Sequence, residues 1–137
     1  KEDFPRVLTL RGRELLNSHF LKDANYEIAY SFGPFPNGSQ LKEALKIIRD
    51  GFSPDIMLID IVMPGMDGIE LLTVLRNENL ISKKTAVIML TNQGLSGDIV
   101  RAKKLGVDGY IIKATTIPSD VLAEVAKIYA NKKGSNV

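Results

Sequence analysis

In the run Pro54-Asp55-Ile56-Met57-Leu58-Ile59-Asp60-Ile61-Val62-Met63-Pro64-Gly65-Met66-Asp67-Gly68-Ile69, one carboxylate, Asp60, closes a short apolar stretch, and a turn signal and a new helical pattern follow it. A near-continuous apolar run reads as a strand buried on both faces of a parallel sheet. The C-terminal end of such a strand opens into the crevice where ligands and chemistry sit. Asp60 is therefore an acid displayed for use rather than for packing. Taken alone, an Asp at a strand end is equally a turn former or a helix cap, so the elements that position it have to carry the argument. The only histidine, His19, falls on the apolar side of a helical pattern and reads as packing.

The chain has 137 residues, 45% of them apolar, enough for one domain with a single core. With 18 Lys plus Arg against 16 Asp plus Glu, the formal charge is +2. That excess is too small to argue for nucleic acid or an anionic membrane. No cysteine is present, which excludes a disulfide scaffold, a thiolate metal site and a cysteine nucleophile. There is no signal-peptide pattern and no apolar run of membrane-spanning length. A cytoplasmic protein without membrane contact is the expectation.

Short apolar runs alternate with amphipathic stretches, the pattern of repeated βα units. Five strands are predicted: Arg6 to Leu10, Tyr26 to Tyr30, Ile56 to Ile59, Ala86 to Leu90 and Gly109 to Ile112. Helical spacing predicts a helix over 13–23 and another through Leu41, Ala44, Leu45 and Ile48, stopped by Asp50-Gly51. A third runs through Leu71, Leu72 and Leu75 after the Asp67-Gly68 turn, and a fourth through Ile99, Ala102 and Leu105 up to Gly106. The last begins near Pro118 and carries Val121, Leu122, Val125 and Ile128. Residues 33–38 read as a loop, the tail from Asn131 to Val137 as polar and frayed, and Glu78 and Asp108 as solvated turn residues. One domain over 1–137, with its core in about 6–130, follows from this order.

Asp60 in its Asp-x-x-Met-Pro-Gly-Met-Asp-Gly context, Thr91 at the end of the fourth strand and Lys113 at the end of the fifth stand together in the order and spacing of a known family. The chain resembles the receiver domain of bacterial two-component response regulators, and Gly106-Val107-Asp108-Gly109-Tyr110-Ile111-Ile112-Lys113 is similar to that family's approach to its fifth strand. The resemblance implies a doubly wound, flavodoxin-like (CheY-like) α/β fold in three layers, its parallel sheet ordered 2-1-3-4-5. It implies that Asp60 accepts a phosphoryl group from a phospho-histidine or a small acyl phosphate. Lys113 and Thr91 would hold the phosphoryl oxygens, and Tyr110, a half-buried strand aromatic, would rotate inward behind Thr91. The implied partners are a sensor histidine kinase or phosphotransfer protein and a downstream protein or a separate output domain, with no direct nucleic-acid contact. Beyond self-catalysed phosphotransfer, no enzyme activity is implied.

One departure from the family stands out. Receivers place two adjacent acidic residues after the first strand to hold Mg2+ together with the phosphoacceptor. Here that place is taken by Arg11-Gly12, followed by Arg13. What remains for a metal is Asp60, the Val62 backbone carbonyl and water, a poor set for a hard divalent cation. Arg11 can instead pair with Asp60 or contact a phosphate. Two expectations follow: a phosphoacceptor that works without tightly bound Mg2+, or a phosphorylation-independent pseudo-receiver acting as a protein–protein interaction module. A haloacid-dehalogenase-type phosphatase would need an acid where the chain has Val62, and a flavin binder would need a better phosphate loop than Arg11-Gly12-Arg13.

Overall fold

The apolar runs form the strands that their composition predicts, and these set the position of everything else. The computed structural model describes residues 6–10, 27–32, 39–61, 68–91, 96–112 and 118–135. Five strands, β1 (Arg6–Leu10), β2 (Glu27–Phe32), β3 (Ile56–Asp60), β4 (Ala86–Thr91) and β5 (Gly109–Ile112), pair in parallel in the order β2-β1-β3-β4-β5. The described helices are α1 (Ser39–Arg49), α2 (Gly68–Asn77), α3 (Ser96–Lys104) and α4 (Pro118–Ser135). The helix expected over 13–23 and the loop expected over 33–38 lie outside the described residues.

Every residue of β3 and β4 is buried, as befits strands covered on both faces. Alternation along the strands sends Leu8, Met57, Ile59, Val87 and Met89 to one face, where α1, α2 and α3 cover them with Ala44, Leu45, Ile48, Leu71, Leu72, Leu75 and Ala102. The other face presents Val7, Ile56, Leu58, Ala86, Ile88, Leu90 and Ile111 to Val121 and Val125 of α4. The result is three layers. Each fully buried Leu, Ile or Met contributes about 1.5–3 kcal/mol relative to exposure. Ala44, Leu45 and Ile48 of α1 and Val121 and Val125 of α4, all periodic in the sequence, are buried, and Leu122 and Ile128 pack against the α4 cluster.

The stops also follow local chemistry. Gly51 (φ 110°) and Gly106 (φ 75°) end α1 and the turn after α3 in the left-handed region, which costs glycine nothing. Two expectations are corrected. β2 extends to Phe32, because β1 offers it partners as far as Leu10. The polar tail is helical through Ser135. There Lys132 is tied back to Asp108 at 3.0 Å, a tertiary contact that holds residues of low apolar content in the helix.

Candidate functional site

Parallel register brings three strand ends to one edge. Asp60 of β3 lies opposite Leu90, and Thr91 of β4 lies opposite Ile112 of β5. The Ile61 N–H donates to the Leu90 carbonyl at 2.9 Å, carrying the ladder one residue past Asp60. Thr91, expected just after a fourth strand ending at Leu90, is instead the last residue of β4 because β5 pairs with it. Lys113 is bonded to Ile112, Arg11 follows Leu10, the partner of Ile59, and Val62 follows Ile61. These three residues, with Asp67 and His19, lie outside the described residues.

Among the described residues three polar side chains are buried: Asp60 (1% exposed), Thr85 and Thr91 (6%). Thr85 stands at the opposite end of the sheet and satisfies its hydroxyl by donating to the Pro54 carbonyl at 2.7 Å. Asp60 and Thr91 are neighbours on the C-terminal edge. Burying a carboxylate costs several kcal/mol unless it is paired and hydrogen-bonded, so a fold keeps one there only with compensating partners. The Asp60 Oδ1 atom is buried and accepts no hydrogen bond, while the residue is engaged in another contact.

Gly68 positions this edge, a role that a reading of Asp67-Gly68 as a turn misses. Its N–H donates to the Ile61 carbonyl at 2.7 Å, which sets the first turn of α2 directly against the end of β3. A Cβ on Gly68 would collide with the Asp60 carbonyl oxygen and lie 2.9 Å from Ile59 Cγ2. The available signal was glycine standing at the start of a helical pattern, where Ser, Thr, Asp or Pro is usual.

Tyr110 is half-buried on β5, opposite Met89, and packs on the cluster beneath α1, α2 and α3. It shares that face with Thr91, one pleat along. Asp108, expected on a solvated turn, is instead a structural clamp. Its Oδ2 accepts the Val87 N–H at 2.8 Å and its Oδ1 meets Lys132 Nζ at 3.0 Å. Together these contacts fasten the start of β5 to β4 and to α4. Glu78 is solvated as expected, pairing with Arg49 at 2.9 Å at roughly half exposure.

The fold and this edge define a class. Residues 15–126 match the response regulator receiver domain, and the chain belongs to that family, whose setting is two-component signal transduction. It is 38% identical over 90 residues to the nitrate/nitrite response regulator protein NarL of Escherichia coli K12, covering 66% of this chain and 38% of that protein. It is 33% identical over 95 residues to the response regulator protein VraR of Staphylococcus saprophyticus, covering 69% of this chain and 43% of that one. The chain thus spans about two-fifths of the length of these curated relatives. A CheY-like receiver domain from Methanospirillum hungatei superposes with a TM-score of 0.76 over 97% of this chain and 99% of that one, at 24% identity, and shows the same fold. The matched span begins at residue 15, beyond β1 and Arg11-Gly12-Arg13.

Receiver domains generally bind Mg2+ at an acidic pocket. Among the described residues no three His, Cys, Asp or Glu side chains gather in a way that would hold a metal ion. The sequence following β1 adds two arginines and no acid before Glu14. Asp60 alone is a poor donor set for the ion. No described helix is long and apolar enough to cross a membrane.

Proposed function

We propose that Asp60 is a phosphoacceptor that works without tightly held Mg2+. An Asp60 carboxylate oxygen attacks the phosphorus of a phospho-histidine on a sensor kinase or phosphotransfer protein, and the P–N bond breaks with its electron pair passing to the imidazole nitrogen. The observation that carries this reading is the burial of Asp60 and Thr91 side by side on the C-terminal edge of the sheet. Thr91 donates its hydroxyl to the new phosphoryl group, and Lys113 supplies a cation. Arg11 supplies a second, since a guanidinium suits phosphate oxygens. Asp60, Lys113 and Arg11 then sum to a charge of about +1, which favours a dianionic phosphoryl group and disfavours a divalent cation. Tyr110 turns inward behind Thr91 and changes the surface around β4 and β5. That surface is read by a downstream protein or an output domain, in the cytoplasm, with neither membrane nor nucleic acid touching this domain.

A second reading is favoured by the near-complete burial of Asp60 together with Arg11-Gly12 in place of the acidic pair. In it, a permanent ion pair covers the carboxylate and the domain is an interaction module. Loss of a metal removes electrostatic stabilisation often worth several kcal/mol at the transition state, which favours this alternative.

Intact mass after incubation with acetyl phosphate, or with a phospho-histidine donor protein, across a Mg2+ titration separates the two. An adduct whose rate is flat in Mg2+, and which becomes Mg2+-dependent in Arg11→Asp, supports the proposal. A strict Mg2+ requirement in the wild type refutes the metal-independent part. No adduct from either donor refutes the phosphoacceptor reading and leaves the interaction module.

A further inference from the structure

The ring of Tyr110 has two kinds of neighbour. Together with Leu105 and Val107 it packs on the buried cluster beneath the helices, and over the ring lies the Lys103 ammonium, 5.8 Å from the centroid. Lys103 belongs to the basic last turn of α3, with Arg101 and Lys104. Cations there are ordinarily explained by the negative end of the helix dipole. The Lys103 charge in addition lies over an aromatic face at cation–π distance.

We infer that Lys103 is a positioning residue that holds Tyr110 in its half-exposed resting setting. Inward rotation of the ring then has to give up the ammonium, so Lys103 sets how readily the β4–β5 surface responds to events at Asp60. The inference rests on the reading of Tyr110 as the moving aromatic. An exposed cation–π contact shifts such an equilibrium by about two- to fivefold. No bond is made or broken, and the readout is the ring itself.

The test uses the full chain with 13C-labelled tyrosine rings, observed by NMR, with the Tyr110 signals assigned from Tyr110→Phe. Lys103→Met keeps the aliphatic stem and removes the charge, while Lys103→Arg keeps a cation. The expected result is a displacement of the Tyr110 ring signals in Lys103→Met that corresponds to about a two- to fivefold larger inward population. Lys103→Arg is expected to return them to the wild-type position. The Tyr129 signals should stay in place and certify the fold. Unmoved Tyr110 signals in Lys103→Met, or an equal displacement in Lys103→Arg, would overturn the inference. Mass measurement on the same samples after acetyl phosphate treatment tests the phosphoacceptor reading separately: a displaced ring in a protein that takes no phosphoryl group sustains the hold by Lys103 and removes only that reading.

Discussion

Substituting Gly68 by alanine places one methyl group at the point where α2 meets the end of β3. The new Cβ would collide with the Asp60 carbonyl oxygen and lie 3.0 Å from the carbonyl carbon, both backbone atoms that cannot swing aside. Ordinary van der Waals separation is about 3.5 Å or more, so helix and strand must part by about 1 Å. Overpacking of this kind costs about 1–3 kcal/mol, and the better helix propensity of alanine offsets up to about 1 kcal/mol. Opening the gap also strains the 2.7 Å bond from the Gly68 N–H to the Ile61 carbonyl, which holds the residue after Asp60. A net loss of about 1–2 kcal/mol is expected, read as a lower urea midpoint at unchanged slope. Because about 1 Å of misplacement at a reacting group can cost about a hundredfold in rate, phosphoryl uptake by Asp60 should fall by at least tenfold while the protein remains folded. A Gly68→Ala protein with the wild-type midpoint and the wild-type labelling rate would refute the claim that this contact positions the site.

Asp108→Ala should cost about 1–3 kcal/mol in urea unfolding, since it leaves the Val87 N–H without its acceptor and Lys132 without its carboxylate; Asp108→Asn, which keeps an acceptor oxygen, should cost clearly less. Gly109→Ala would drive a Cβ into Ile128 Cδ1 and Cγ1, with an expected loss of about 1–3 kcal/mol, and Ile128→Val in the same chain should recover part of it. Equal and additive losses would contradict that contact. The Arg76 guanidinium donates to the Leu105 and Gly106 carbonyls at 3.0 and 3.1 Å, tying α2 to the turn after α3. In Arg76→Met, amide hydrogen exchange is expected to quicken in that turn ahead of the rest of the molecule.

The strands were legible because a parallel sheet covered on both faces demands continuous apolar runs, and Met57-Leu58-Ile59 and Val87-Ile88-Met89 leave no other reading. Helix faces were legible for the same reason, through the spacing of Ala44, Leu45 and Ile48 or of Val121 and Val125. Asp60 and Thr91 could be placed because each terminates such a run. What escaped the sequence was decided by contacts between distant segments. Asp108 looks like any turn acid until Val87 and Lys132, 21 and 24 residues away, are brought to it. The helical tail to Ser135 depends on that same contact. Gly68 carries a steric constraint that exists only once α2 lies on β3, and the cation over Tyr110 only once the end of α3 lies beside β5. Arg11 was visible as a departure from a family pattern, an observation about residue type that spacing alone cannot convert into geometry.

The most direct test of the central claim is the intact mass of the purified protein after incubation with acetyl phosphate, beside Asp60→Ala treated identically. The expected result is a phosphoryl adduct on the wild type, reversed by hydroxylamine as an acyl phosphate is, and none on Asp60→Ala. An adduct of equal yield on both proteins, or none on the wild type with either acetyl phosphate or a phospho-histidine donor, would contradict it.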